Sequence, residues 1–122
     1  MSLREGLRDL LASEEEIAAG EERADATRQG STLCCADAPM RKVADLVGVV
    51  QSVVLRPRKG VPALEAEIYD GTGRLALVWL GRRQIAGIEP GRRMKVHGFV
   101  CDVDGTRTIY NPRYELRARP GE

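Results

Sequence analysis

The feature that most constrains this chain is a change of hydrophobic period at residue 44. From there LVGVVQSVVLR is continuous and β-branched, the composition of a strand buried wholly or partly on both faces. Next, Leu64, Ala66 and Ile68 alternate with Glu65, Glu67 and Tyr69. Asp70-Gly71-Thr72-Gly73 is a hairpin turn and RLALVWL a third strand. With a two- or four-residue loop, Ile68 shares a face with Leu75, Leu77 and Trp79. That makes Trp79 a core residue and turns Arg74, Ala76 and Val78 outward with Glu65 and Glu67; a three-residue loop reverses the assignment.

Residues 81–91, GRRQIAGIEPG, allow a short helix or turn with Ile85 and Ile88 pointing inward. RRMKVHGFVC sets Met94, Val96 and Val100 against Arg93, Lys95, His97, Phe99 and Cys101, and Asp104-Gly105 is a second hairpin signal. TRTIYNPRYELR is the last strand, with Pro112 marking an edge or a bulge. Five short strands, roughly 8–14 residues apart, with a short helix between the third and fourth predict a mainly-β, five-stranded Greek-key barrel.

The first 40 residues read differently. Leu3, Leu7, Leu10 and Leu11 form a narrow helical stripe, and Ser13 followed by Glu16 has the form of a capping box. The stretch it opens has only Ile17 as a large apolar side chain, so it buries little. The expected organisation is an acidic N-terminal helical arm over 1–28, a connector over 29–43 broken by Gly30 and Pro39, the barrel over 44–117 and a tail over 118–122. The arm reads as a solvated helix, as a partner-binding or self-association helix using its leucines, or as an acidic cover for a basic groove.

Charge divides along the same boundary. Residues 1–40 carry four Arg and nine acids, a balance of −5; residues 41–122 carry fifteen Lys+Arg and nine acids, a balance of +6. Such segregation is a feature of chains whose basic part meets nucleic acid or another acidic partner. Sixteen of the 19 basic residues are Arg, whose planar fork suits phosphate.

Several classes drop out. No apolar run approaches the ~20 residues that span a bilayer, and no signal-peptide pattern opens the sequence, so a cytoplasmic protein without membrane contact is expected. Cys34 and Cys35 are adjacent, Cys101 is remote, and His97 is the only histidine. The cysteines are expected to be reduced, small apolar side chains, with neither metal nor cofactor. The serines Ser2, Ser13, Ser31 and Ser52 stand in no G-x-S-x-G setting, and no phosphate-binding G-x-x-x-x-G-K-[ST] occurs. No catalysis is expected.

Four strings carry a family likeness: VGVVQSVVLRPR, AEIYDGTGRLALVWLG, IEPGRRMKVHGFV and NPRYEL. Together they resemble nucleic-acid-binding OB-fold domains of the anticodon-binding type. They are especially similar to the wedge domain of RecG-type branched-DNA helicases, where a DGTG hairpin, a PGRRxxVxGxV strand and a P-x-Y-E ending recur. The likeness covers 44–117, about three-fifths of the chain, and the whole resembles small stand-alone OB-fold proteins of high-GC bacteria. It implies a binding module without a motor, taking single-stranded or branched DNA, or RNA.

Three groups of residues are candidates for that contact. Arg56, Arg58 and Lys59, framed by Pro57 and Pro62, lie in the loop after the first strand, which in OB folds flanks the ligand groove together with the loop between strands four and five. Arg93, Lys95, His97 and Phe99 form an outer row of strand four, mixing charge for a backbone with a ring for a base. Arg107, Tyr110, Arg113 and Tyr114 lie on strand five, with Arg107 and Tyr110 the stronger pair. Against all three, Glu65 and Glu67 point outward from strand two and repel phosphate. Either Arg74 and Arg107 neutralise them, or the ligand lies across the loops. The rival reading is a protein-interaction module, with the barrel as scaffold and the leucine stripe as docking or dimerisation element.

Overall fold

A computed structural model of the chain describes Arg23 and residues 35–118. The leucine stripe, the expected arm helices and Cys34 lie outside the described residues. A 3-10 turn, Cys35–Asp37, leads into six strands: β1 (Val43–Leu55), β2 (Ala63–Tyr69), β3 (Arg74–Leu80), β4 (Arg93–Val103), β5 (Thr106–Tyr110) and β6 (Arg113–Leu116). Five of them close a ring in the order β1-β2-β3-β5-β4 and back to β1, with β6 on β4. All pairings are antiparallel except β3 with β5.

Ring closure depends on β1 belonging to both sides of the barrel. Its first half, from Val43 to Val49, pairs with β4, and its second half, from Val49 to Leu55, with β2. A strand that changes partner has to curl. A bulge between Val50 and Ser52 supplies extra twist. At Gly48 a Cβ would stand 3.0 Å from the carbonyl oxygen of Tyr69 and 3.2 Å from the Ile68 Cβ, so only glycine lets the two strands come this close.

The β2–β3 hairpin has the four-residue loop. Tyr69 pairs with Arg74 and Ile68 with Leu75, and Leu64 lies opposite Trp79. The face predicted to be inside is inside: Ile68, Leu75, Leu77 and Trp79 are buried, with Leu46, Val50, Met94, Val96, Val100 and Ile109 filling the barrel around them. Each such side chain contributes about 1.5–3 kcal/mol on leaving water. The Trp79 indole donates to the carbonyl oxygen of Pro112 at 3.3 Å, and Tyr114 packs edge-on against its ring at 5.8 Å. Cys35 is buried; it and half-buried Cys101 are free thiols.

Two sequence expectations change. The short helix between β3 and β4 is absent, and residues 81–92 form successive turns. Ile85 and Ile88 still point inward and are buried, but Gly87 and Gly91 adopt φ of 86° and 90°, a conformation that no right-handed helix accommodates. The last strand is split in two. Asn111 has φ of 50° and precedes Pro112, which has no N–H for the ladder. The Asn111 amide nitrogen donates to Val78 at 2.6 Å and its side-chain oxygen accepts from Leu80 at 2.9 Å. The break lets β5 close the ring on β3 while β6 pairs with the first half of β4.

Asp70, at the first position of the β2–β3 loop, is fully buried. One carboxylate oxygen accepts from the Thr72 hydroxyl at 2.6 Å and from the amides of Thr72 at 2.9 Å and Gly73 at 3.3 Å. The other accepts from the Cys35 amide at 2.8 Å and from Arg23 at 2.6 Å. Burial pushes its pKa up, but the hydrogen bonds from Thr72, Cys35 and Gly73 outweigh burial and hold it below the ordinary aspartate value. The turn therefore ties the segment before β1 to the barrel.

Candidate functional site

The loop from β1 to β2 extends the hairpin. Arg58 and Val61 exchange two backbone hydrogen bonds of 2.8 and 2.9 Å around a tight turn, Lys59-Gly60, with φ of 48° and 79°. This lifts Lys59 to an exposed tip and directs Arg56 and Arg58 along the outer face of β2. Across from it the β4–β5 turn, Asp104-Gly105, is fixed by Asp102, whose carboxylate accepts from the Gly105 amide at 2.8 Å. A groove of about 300 Å³ lies between the two, lined by Arg56, Arg58, Glu65, Ala76, Val78, Thr106 and Thr108 among others. A second hollow of about 180 Å³ continues it over Ser52, Val54 and Glu67, sharing Arg56, Glu65 and Ala76. The floor carries small side chains, Ala76, Val78 and Thr108, on which an extended chain can lie flat.

The electrostatics of this groove are set by Glu65. It is 18% exposed, accepts a hydrogen bond from Arg58, and lies 3.5 Å from Arg56. Arg58 also donates to the Tyr110 hydroxyl at 3.2 Å, with its guanidinium 5.8 Å above the Tyr110 ring. The hydrogen bond from Arg58 to Glu65 raises the arginine's pKa further above its ordinary value. Glu67 pairs with Arg74 at 3.4 Å. The two outward carboxylates are thus neutralised, but not by the pair expected from the sequence. Arg74 has the expected role; Arg56 and Arg58 take the other carboxylate. Arg107 points elsewhere, donating from Nε to the carbonyl oxygen of Ala38 at 2.9 Å, where it braces the segment before β1.

The candidate residues therefore divide. Arg56, Arg58 and Tyr110 converge at one end of the groove, Lys59 stands at the loop tip and Arg74 lies along β3. Lys95 and His97 line a different pocket of about 190 Å³ with Asp45, Val96, Arg113, Tyr114 and Glu115, which shares no residue with the groove. Phe99 is 50% exposed on β4 beyond them. The hydroxyls of Thr106 and Thr108 were not singled out by sequence reasoning. Their signal was the outward phase of alternation in β5, set only once that strand pairs with β3.

No protein family and no curated protein matches this sequence. Solved structures do share its fold. RecG bound to a three-way DNA junction matches at 21% identity with a TM-score of 0.56, over 70% of this chain and 12% of that one. The solution structure of a replication factor A related protein from Methanobacterium thermoautotrophicum matches at 11% identity and 0.53, over 72% and 92%. A replication protein A heterotrimer bound to ssDNA matches at 17% and 0.49, over 63% of this chain and 58% of that chain. The chain thus spans about an eighth of RecG's length and under two thirds of the replication protein A chain's. At these identities the likeness is one of fold: a mainly-β, closed five-strand ring of the OB type.

Proposed function

We propose that this chain is a non-catalytic nucleic-acid-binding OB-fold protein that holds single-stranded or branched DNA, or RNA, mainly through phosphate contacts in the groove between the β1–β2 loop and the β4–β5 turn. The observation that carries the reading is the convergence of Arg56, Arg58 and the Tyr110 ring at one end of a shallow groove with a small-residue floor. Lys59 at the loop tip and the threonine hydroxyls of β5 extend the set of donors. Backbone contact of this kind carries weak sequence preference. The fold shared with RecG, whose solved complex contains a three-way DNA junction, supports the same reading.

Fluorescence anisotropy of a labelled 20-nucleotide single strand tests it with the full chain. Three to four phosphate contacts, at a slope of about −0.7 each for single strands, weaken binding roughly 20- to 50-fold between 50 and 200 mM salt. Micromolar or tighter binding with that salt response supports the groove. Absence of binding at 50 mM salt to both this strand and a three-way junction refutes it.

A further inference from the structure

The cations of the groove are held by acids; those of the opposite pocket are not. Across β1, β4 and β6 the register sets Asp45, His97 and Arg113 in one row and Val47, Lys95 and Glu115 in the next. Both carboxylates bordering the pocket are already engaged: Asp45 with His97 Nδ1 at 2.8 Å, Glu115 with Arg117 at 3.1 Å. Among the described residues neither Lys95 nor Arg113 has an ion-pair partner. The pocket is therefore a small hollow in which two cations face solvent and a histidine is oriented through its other ring nitrogen, leaving Nε2 for a ligand.

An aromatic platform adjoins it. Phe99 lies two residues beyond His97 on the same face of β4, about 7 Å along the strand, and is 50% exposed. Its cross-strand partner Val43 is 58% exposed. A ring and an apolar side chain beside two free cations match one nucleotide unit, phosphate on the charges and base on the ring.

We propose that the outer face of β1, β4 and β6 is a second nucleic-acid contact site, separate from the groove, with Lys95 and Arg113 binding a phosphate, His97 adding a donor when protonated, and Phe99 stacking a base. The inference rests on the reading of the chain as a nucleic-acid binder and adds that two segments of nucleic acid are held on opposite sides of the barrel, as a branched ligand requires.

The experiment is an amide-resolved NMR titration of the full-length ¹⁵N-labelled chain with hexathymidylate at 50 mM salt. Saturable shifts at Lys95, His97, Phe99 and Arg113 are expected alongside those at Arg58 and Tyr110. Shifts confined to the groove overturn the second site and leave the groove reading standing. Shifts confined to β4 and β6 support this site and overturn the groove; no shifts at all overturn both. In the anisotropy assay Lys95→Gln with Arg113→Gln is expected to weaken binding about 10-fold and lower the salt slope by about 1.4. The single variants Lys95→Gln and Arg113→Gln, each expected to lower it by about 0.7, report separately if the double variant fails to fold. Unchanged affinity and slope in the folded variants sink the proposal.

Discussion

Glu65 accepts a hydrogen bond from Arg58 while the same guanidinium lies over the Tyr110 ring, so the most basic end of the groove carries its own counter-charge. Arg56 leans on the same carboxylate. Two arginines and one glutamate leave a single net positive charge where the sequence shows a cluster of cations.

Replacing Glu65 with Gln keeps an acceptor for Arg58 and removes the charge. Single-strand affinity at 50 mM salt is expected to rise about 5- to 10-fold, and the salt slope to steepen by about 0.7. Anisotropy at several salt concentrations measures both. Weaker binding in this variant means that Glu65 positions Arg58 more than it neutralises it.

Arg107 braces the chain before β1 through Ala38. Arg107→Gln is expected to lose about 1 kcal/mol of stability, a few degrees of melting temperature, with affinity for the strand unchanged within about twofold. A tenfold loss of affinity at constant melting temperature assigns Arg107 to the ligand instead.

Asp70 makes stability depend on pH. Its folded pKa lies below the ordinary value of 3.8, so the folded state favours the ionised carboxylate. The stabilisation is complete above about pH 5, shrinks as pH falls through the unfolded value, and is gone below the depressed folded value. In Asp70→Asn an amide NH₂ faces the Cys35 amide and Arg23, both donors, so about 2 kcal/mol is lost at neutral pH. Urea denaturation from pH 3 to 7 is expected to show a flatter acid limb for the variant. Parallel curves exclude this role.

Gly98 lies on the inward phase of β4, where a Cβ would run into the Ile109 side chain. Ile109 is fully buried in the core and cannot step aside. Gly98→Ala is expected to destabilise the barrel by about 1–3 kcal/mol, read as a lower urea midpoint with an unchanged slope. A midpoint equal to that of the parent shows the core to be looser than its packing indicates.

How far the sequence carried differs between elements. The inward set Ile68, Leu75, Leu77 and Trp79 was legible because side chains alternate with a period of two and the DGTG loop allows few registers. The missing helix at 81–91 was not, since inward-facing Ile85 and Ile88 suit a turn as well as a helix and glycine alone does not announce its φ. The split between β5 and β6 was half legible: Pro112 marked an irregularity, but not that each half would take a different partner.

Local order was therefore settled by the sequence itself: strand positions, hairpin turns, the phase of each face and the presence of Arg56, Arg58 and Lys59 in one loop. Which cation meets which carboxylate was settled only by ring closure. Glu65 to Arg58 spans seven residues, but Arg107 to Ala38 spans 69 and His97 to Asp45 spans 52. Those partners meet because β1 curls from β2 to β4 and β5 docks on β3. Alternation decides whether a side chain points outward; only the three-dimensional path of the strands decides whether a charge there finds an opposite charge or is left free for a ligand.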